Sequence, residues 1–537
     1  MCITKYLLYI CTTCQHLLLL PGLPASSIPL FSVNMNTPSA AARGAKRHCL
    51  PLLALSFILL FSSLFRQAQA QVPADSVDLF LTTKMRQLRI PGLQLAVVRH
   101  GQVVKLAQYG LANLQDSIPV VAKSRFSINS ITKAFVGVAV MQLVETGQLD
   151  LAAPVGRYLP GLPDAWQPVT VRQLLTHTSG LPEIMGDDDL VTEANEKAAW
   201  ATVQTKPMAA APGEKFSYNQ TNYLLLGKII DQLSGQPFAA FIQTRQLDVV
   251  GMPRTTLGDS HNVLPNSARG YTYSKVVNGE WQRAREPRNL FEAYAPSLRT
   301  ASGMSSTAEE IAHWLIALQQ GKLLKPASLP VLWAPGTLNN GRQQGFNRLL
   351  NGYALGWPTV SRPEHRAVAP TGGGRSALFV YPEDDLAIVV LTNLMGANPD
   401  LFIDEIAGYY LPDMHPATGF GMPPAIRALH TQLRQRGFGQ AEALVKQARR
   451  QNPAYQLPEA EVNAWGYALL KQAQPKNALE IFKLNVRLYP QSANTYDSLA
   501  ELYAELGNHE LARKNYQRAL ALNPQNTGAA EYLKKAL

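Results

Sequence analysis

A serine and a lysine three positions apart stand where a polar stretch becomes apolar. The stretch reads SINSITKAFVGVAVMQLVETG from Ser127 to Gly147, with Ser130 and Lys133 near its start. A helix from Ser130 to Gly147 places residues i and i+3 on one face, so the hydroxyl and the amine can meet. Burial beside the apolar run would lower the pKa of the lysine toward that of a usable base. The spacing therefore indicates a serine activated by lysine, although a helix N-cap followed by a solvated lysine has the same pattern.

Four further motifs follow in a fixed order. They read LLTHTSGLP from Leu174, APGEKFSYNQTNYLLLGKIIDQLSG from Ala211, ASGMSSTAEEIAHWL from Ala301 and APTGGGRSALFVYPEDDLAIVVLTN from Ala369. Together with Ser-x-x-Lys, they make the chain resemble the serine β-lactamase and penicillin-binding-protein superfamily over residues 75–410. The resemblance is closest to the branch of class C β-lactamases, D-aminopeptidases and esterases.

This resemblance implies an acyl-enzyme mechanism. Ser130 would be the nucleophile and Lys133 its proton acceptor, while Tyr218 would relay the proton as a phenolate or as a hydrogen-bonded phenol. The backbone amides of Ser130 and Gly373 would form the oxyanion hole. The resemblance implies no metal and no cofactor.

Two departures from the family pattern affect the predicted substrate contacts. The family usually has Tyr-x-Asn, whereas this chain has Gln220 in the third place and Asn219 before it, so both amides are candidate substrate contacts. Pro370 replaces the usual Lys or His ahead of Thr371-Gly372, the other substrate-binding pair. Loss of that cationic group predicts weak or absent β-lactamase activity and a preference for esters or amides without a carboxylate. Arg375 is the candidate to replace the lost charge.

Other readings of these residues are weaker. His177 and the acidic run Asp187–Asp189 suggest a Ser-His-Asp triad, but the chain contains no G-x-S-x-G elbow to hold a nucleophile. We therefore interpret His177 as a structural histidine in a turn, the acidic run as a solvated loop and Trp166, Trp200 and Trp357 as core residues. The competing function is a binding protein that has lost turnover.

Two β-hairpins and the helices between them must position these motifs. The runs Leu93–Arg99 and Val103–Tyr109 are split by His100-Gly101, and a second hairpin turns at Pro382–Asp385. The segment between the hairpins is mostly helical. The sequence thus predicts an α+β hydrolase domain over 71–411, a β-lactamase/transpeptidase-like antiparallel sheet flanked by helices with an inserted helical region.

An all-helical region follows the hydrolase domain. Residues 412–459 are predicted to be a linker, because they begin with a Pro- and Gly-rich stretch, followed by helices at Pro424–Gln435 and Ala441–Arg450. Residues 460–537 repeat with a period of 34, pairing Ala478 with Ala512 and Phe482 with Tyr516. The segment resembles tetratricopeptide repeats, so it predicts either a structural cap or a groove for a protein or peptide partner.

The first 70 residues are predicted to be a leader. A basic segment, an apolar stretch from Leu50 to Leu64 and Ala68-Gln69-Ala70 indicate a signal peptide cleaved after Ala70, with Met35 as the possible true start. This predicts a periplasmic or secreted protein without a stable membrane anchor. All four cysteines precede the cleavage site, so the mature chain would have no thiol. Removing five basic and no acidic residues reduces the net charge from +11 to +6, which does not favour nucleic-acid binding.

Overall fold

A computed structural model describes residues 75–185, 191–277, 280–472 and 474–535. The predicted leader, its cysteines and the acidic run Asp187–Asp189 lie outside these ranges. Within them, none of the helices is long and apolar enough to cross a membrane.

The secondary structure elements alternate between short strands and helices up to Ala407 and are helical thereafter. The strands are β1 (Gly92–Arg99), β2 (Gln102–Asn113), β3 (Ile118–Pro119), β4 (Phe126–Ser127), β5 (Thr256–Leu257), β6 (Tyr271–Val277), β7 (Glu280–Asn289), β8 (Met304–Ser306), β9 (Gly352–Tyr353), β10 (Pro358–Val360), β11 (Ala367–Val368), β12 (Thr371–Gly372), β13 (Ser376–Tyr381) and β14 (Leu386–Thr392). The helices up to Ala407 are α1 (Ser76–Leu88), α2 (Thr132–Glu145), α3 (Val171–Leu175), α4 (Glu196–Thr205), α5 (Gln220–Ser234), α6 (Phe238–Ile242), α7 (Asp248–Val250), α8 (Arg299–Ser302), α9 (Ala308–Gln319), α10 (Leu329–Trp333) and α11 (Ile403–Ala407).

The main sheet joins the two predicted hairpins. Its strand order is β3-β2-β1-β14-β13-β11-β10-β9, with β12 paired to β13. His100 and Gly101 both have positive φ, which suits the tight turn of a two-residue hairpin. Strand β1 pairs antiparallel with β14 from Leu93 opposite Thr392 to Arg99 opposite Leu386. The prediction that both ends of the domain contribute to one antiparallel sheet is confirmed.

Helices cover both faces of this sheet. Alternate residues of β13, such as Leu378 and Val380, belong to a large apolar core together with α2, α5 and α9. Their neighbours Ala377 and Phe379 belong to a second core with α1 and α11. The strands at the centre of the sheet are therefore apolar on both faces, and α2 is buried within the core that covers one of these faces. Trp166 and Trp357 are buried in the first core, and Trp200 packs against it, as predicted.

The C-terminal helices pack against their neighbours in the chain. They are α12 (Pro424–Arg436), α13 (Ala441–Gln451), α14 (Glu459–Lys471), α15 (Pro475–Leu488), α16 (Ala493–Glu505), α17 (His509–Leu522) and α18 (Thr527–Lys535). Both helices predicted ahead of the repeats are confirmed, and they share one apolar core with α14 and α15. Ala478 and Phe482 are fully buried there. The helical architecture is confirmed, whereas the assignment to tetratricopeptide repeats stays a prediction.

Ion pairs join these helices to the hydrolase domain. Arg348 Nη1 lies 2.8 Å from Glu461 Oε1 of α14. Arg427 Nη1 of α12 lies 2.6 Å from Glu364 Oε2 in the loop between β10 and β11. Because Met414 of the Pro- and Gly-rich stretch is buried in the core with α1 and α11, this stretch is packed rather than free.

A half-buried histidine also ties this stretch to the sheet, and its charge should affect stability. His365 Nδ1 lies 2.9 Å from Asp384 Oδ1, and Nε2 lies 2.8 Å from Asp413 Oδ2. Burial alone lowers the pKa of His365, but the two carboxylates raise it above its ordinary value. Its contribution to stability is therefore complete below the pKa of the unfolded chain and is lost as the pH rises through the higher folded pKa.

We expect His365→Gln to destabilise the protein by about 1 kcal/mol at pH 6 and by less at pH 8.5. Denaturant midpoints of both proteins at the two pH values measure this difference. His100→Gln is the matched control, because the His100–Asp385 pair is exposed, with 70% and 57% of the side chains accessible. If His365→Gln lost the same free energy of unfolding at both pH values, protonated His365 would not stabilise the fold through Asp384 and Asp413.

Candidate active site

Ser130 lies in a single 3₁₀ turn, Asn129–Ile131, that runs directly into α2. Its neighbours Asn129 and Ile131 are buried, while Ser130 itself is half-buried. The predicted helix is confirmed: α2 ends at Glu145, close to Gly147, which has a φ of +74°. The turn therefore presents the hydroxyl at the N-terminal end of a helix that is packed firmly into the core.

Lys133 is fully buried one turn further along. Its Nζ lies 3.4 Å from Ser130 Oγ, 2.9 Å from Gln220 Oε1 and 2.8 Å from the Ala301 carbonyl oxygen. Burial lowers the pKa of Lys133 to about 7, against the opposing effect of the Glu183 carboxylate. A neutral amine has two hydrogens, which the two carbonyl-type oxygens accept, and one lone pair, which is left for the serine hydroxyl. The alternative of a solvated lysine beside an N-cap serine is wrong.

Tyr218 lies immediately before α5 and completes a three-residue cluster. The Ser130 hydroxyl is near enough to its phenol to lower the pKa of Tyr218, and Lys133 Nζ lies 4.7 Å from the centre of the Tyr218 ring. Burial raises the pKa of Tyr218 well above its ordinary value; the nearby Ser130 hydroxyl offsets a part of this rise, and the Glu183 charge adds a smaller increase. Of the two forms left open by the sequence, this environment favours the protonated phenol over the phenolate.

The two amides after Tyr218 have different positions. Gln220 reaches Lys133, whereas Asn219 is buried and caps α5. Asn219 Nδ2 donates to the Leu181 carbonyl oxygen at 2.7 Å, and its Oδ1 accepts from the backbone N–H of Asn222 at 3.3 Å. The prediction that Asn219 contacts substrate is therefore wrong, because its amide is used inside the fold. Gln220 as a substrate contact stays a prediction.

The Thr371-Gly372 strand passes very close to the serine turn. A Cβ atom on Gly372 would lie 2.0 Å from the Ile128 carbonyl oxygen, and one on Gly373 would lie 2.9 Å from the Asn129 side chain. Gly373 and Gly374 also have positive φ values of 56° and 61°. Only glycine permits this approach and this turn. The arrangement brings Gly373 against Asn129, the residue before Ser130, so the amides of Ser130 and Gly373 remain our candidates for the oxyanion hole.

Arg375 does not replace the charge lost at Pro370. Its side chain is 3% exposed, and Nη2 lies 2.5 Å from Glu292 Oε1 and 2.7 Å from Asn129 Oδ1. A guanidinium that is buried and paired in this way is not free to bind a substrate carboxylate. The prediction of Arg375 as a substrate-binding residue is therefore wrong.

Glu183 is an acidic residue near the site that the sequence did not reveal. Its carboxylate accepts from the backbone N–H groups of Gln220 at 2.9 Å and Met185 at 3.1 Å. Burial raises the pKa of Glu183, and these backbone hydrogen bonds partly offset the effect. The motif SGLPE places this residue in a turn, and nothing in its spacing indicates that the turn folds back toward Lys133.

His177 occupies a structural position, as predicted. It is fully buried with a φ of +56°, and Nδ1 accepts from the backbone N–H of Asn219 at 3.1 Å. Burial holds its pKa well below the ordinary value, and the nearby Lys133 charge has the same effect. His177 is therefore neutral and anchors the start of α5, which supports the rejection of a Ser-His-Asp triad.

The fold and the Ser-Lys-Tyr cluster together define the class of serine hydrolases related to β-lactamases and penicillin-binding proteins. A family model described as Beta-lactamase matches residues 71–408, so the chain belongs to the β-lactamase family. Sequence relatives include Protein flp of Staphylococcus aureus (strain N315), which is 27% identical over 329 residues, covering 60% of this chain and 63% of the relative. Penicillin-binding protein 4* of Bacillus subtilis (strain 168) is 28% identical over 307 residues, covering 55% of this chain and 66% of the relative.

The chain thus spans slightly less than two thirds of the length of these relatives. Among solved structures, the fold is similar to an octameric penicillin-binding protein homologue from Pyrococcus abyssi. The TM-score is 0.55 at 24% sequence identity, covering 66% of this chain and 80% of that one. This similarity supports the fold described above.

Proposed function

We propose that this protein is an exported serine hydrolase that cleaves an ester or amide through an acyl-enzyme on Ser130. The observation that carries the proposal is the buried Lys133 amine, 3.4 Å from Ser130 Oγ, with its hydrogens accepted by Gln220 and Ala301. Its remaining lone pair can take the hydroxyl proton at neutral pH.

In the first half of the reaction, Ser130 Oγ bonds to the substrate carbonyl carbon while its proton passes to Lys133. The carbonyl oxygen becomes an oxyanion, which the amides of Ser130 and Gly373 would stabilise. The tetrahedral species collapses as the bond to the leaving group breaks, and Tyr218 donates its phenolic proton to that group and regains one from Lys133. Water then attacks the acyl carbon and gives a proton to the same pair of residues. The bond between that carbon and Ser130 Oγ breaks, the pair returns the proton to Oγ, and the acid leaves.

The charges around Ser130 support a substrate without a carboxylate. Pro370 provides no positive charge, and the guanidinium of Arg375 is paired with Glu292. Glu183 adds a partly buried acidic group close to Lys133. A penicillin or an acidic peptide carries a carboxylate that needs a compensating positive charge. These residues do not provide one.

Aromatic side chains next to Tyr218 favour an apolar substrate group. The Phe346 ring centre lies 5.0 Å from that of Tyr218 and 5.5 Å from that of Phe216. Phe346 is 42% exposed, so its ring offers an accessible apolar surface beside the reacting residues. We infer that the substrate is a neutral ester or amide with an apolar substituent. For the C-terminal helices, a structural cap and a groove for a protein or peptide partner stay alternative predictions.

The proposal is tested by intact-mass spectrometry of the chain from residue 71 after exposure to a fluorophosphonate and, separately, to a penicillin. We expect a fluorophosphonate adduct that is absent from Ser130→Ala and no penicillin adduct. Adducts from both reagents would identify a penicillin-recognising enzyme. No adduct from either would favour a binding protein that has lost turnover, for which Gln220 and Pro370 are the supporting substitutions.

A further inference from the structure

A buried ion pair lies directly behind the serine turn. Arg375 Nη2 and Glu292 Oε1 are 2.5 Å apart, with 4% and 18% of the two side chains accessible. Burial alone raises the pKa of Glu292, but the Arg375 guanidinium lowers it below its ordinary value, so the carboxylate stays ionised. Burying such a pair costs free energy of solvation. The other hydrogen bonds of Arg375 and Glu292 show which residue the pair positions.

Asn129 is the residue held by this pair. Its Nδ2 donates to Glu292 Oε1 and to Tyr294 Oη, each at 2.8 Å, and its Oδ1 accepts from Arg375 at 2.7 Å. Both hydrogens and the oxygen of the amide are thus used. Asn129 is 2% exposed and has a φ of +47°, a conformation that asparagine tolerates better than most residues. Since Ser130 follows directly, the amide fixes the backbone at the nucleophile.

The same network reaches the second oxyanion donor. The backbone N–H of Arg375 donates to the Gly372 carbonyl oxygen at 2.9 Å, and its own carbonyl oxygen accepts from Thr392 of β14. The Asn129 amide also fills the space where a Cβ on Gly373 would lie, at 2.9 Å. Asn129 therefore contacts Gly373, which carries one predicted oxyanion donor, and directly precedes Ser130, which carries the other.

We propose that Asn129, Glu292 and Arg375 are positioning residues that set the separation between the backbone amides of Ser130 and Gly373. This inference rests on the proposed function. Neither Asn129 nor Arg375 is exposed enough to touch a substrate, so the network acts on transition-state stabilisation and not on substrate binding. Its loss should lower kcat and leave KM nearly unchanged.

Asn129→Gly provides the decisive variant, because glycine adopts the positive φ freely while the amide is removed. Loss of one oxyanion donor typically costs about 10²- to 10³-fold in kcat. We expect displacement of the two donors to cost about 10- to 100-fold, with KM for a neutral ester within about threefold. A phenylboronic acid, whose adduct places a hydroxyl in the oxyanion position, should lose affinity by the same factor as kcat.

The role of the ion pair is tested by Arg375→Met combined with Glu292→Gln, which removes both charges together. If the pair acts through Asn129, adding Asn129→Gly to this double variant should cause little further loss of kcat. Arg362→Met is the matched control, because Arg362 is paired with Asp404 at 2.7 Å, with 17% and 23% of the side chains accessible. Its kcat should equal that of the wild type.

Wild-type kcat and boronic acid affinity in Asn129→Gly would overturn the inference, as would fully additive losses in the combined variant. The inference would also fail if kcat fell by the same factor in the Arg375→Met/Glu292→Gln variant and in the control Arg362→Met, since both losses would then reflect general destabilisation. Absence of any Ser130 adduct in the wild-type protein would overturn the proposed function and this inference together, so the two failures are distinguishable.

Discussion

Replacing Lys133 with methionine should lower the rate of Ser130 acylation by about 10³-fold, within the range expected for loss of a general base. Methionine has a similar length and suits the buried site, where Lys133 is fully enclosed. The loss should therefore reflect the missing lone pair and not a collapsed core. The rate at which a fluorophosphonate phosphonylates Ser130, which needs the same activation of the hydroxyl, is measured by intact mass over time and reports this loss.

The pH dependence provides an independent check on the same residue. Because the pKa of Lys133 is about 7, the neutral amine decreases tenfold for each pH unit below that value. The wild-type acylation rate should decline in the same way on the acid side and level off above pH 8. Lys133→Met should lack this acid limb. Lys105→Met is the control, because Lys105 pairs with Asp78 at 2.8 Å in another part of the domain.

Lys133→Met should increase the stability of the protein, whereas it decreases the rate of reaction at Ser130. Protonation of Lys133 in the folded protein is less favourable than in the unfolded chain, since burial lowers its pKa from 10.5. Its cost to stability therefore grows as the pH falls from about 10 toward 7. Lys133→Met should raise the denaturant midpoint at pH 6 to 7 although it lowers activity.

A Lys133→Met variant that reacts at the wild-type rate, or that keeps the acid limb of the pH profile, would show that another group accepts the proton from Ser130.

Gly372→Ala should reduce kcat/KM by more than about 100-fold and destabilise the protein by about 1 to 3 kcal/mol. The added Cβ would lie 2.0 Å from the Ile128 carbonyl oxygen, so the backbone on one side must move. That movement separates Gly373 from Ser130. Steady-state kinetics with a neutral ester and denaturant unfolding measure the two effects.

Gly439→Ala is the matched control for this substitution. Gly439 has no atom within 4 Å of the added Cβ, so both activity and stability should be retained. If Gly372→Ala kept wild-type activity, the close approach of the Thr371-Gly372 strand to the serine turn would not matter for catalysis, and the assignment of Gly373 to the oxyanion hole would fail.

The local features of the site were predictable from the sequence. The i, i+3 spacing of Ser130 and Lys133 lies within one helical turn, and the apolar run that buries the lysine is continuous with it. The two β-rich runs on either side of His100-Gly101 also predicted the first hairpin. In each case, residues that are close in the chain determine the geometry, so spacing alone is informative.

Contacts between distant segments were not predictable. Arg375 looked like a free cation because its partner Glu292 is 83 residues away (375 − 292). Asn219 and Gln220 are adjacent, and only the capping of α5 decides which one faces Lys133. Glu183 approaches the lysine through a turn whose path depends on His177 and α5. Such choices depend on tertiary packing, which a single sequence does not reveal.

The pairing of β1 with β14 has a consequence for when the protein can fold. Leu93 and Thr392 lie opposite each other although 299 residues separate them (392 − 93). A ribosome adding about 5 to 20 residues per second needs at least about 15 seconds to make that interval. During this time, the centre of the sheet lacks its partner strand, and closing so long a loop is slow. This delay would favour the proposed export, because a secretion channel that accepts only unfolded polypeptide could engage the nascent chain before its sheet is complete.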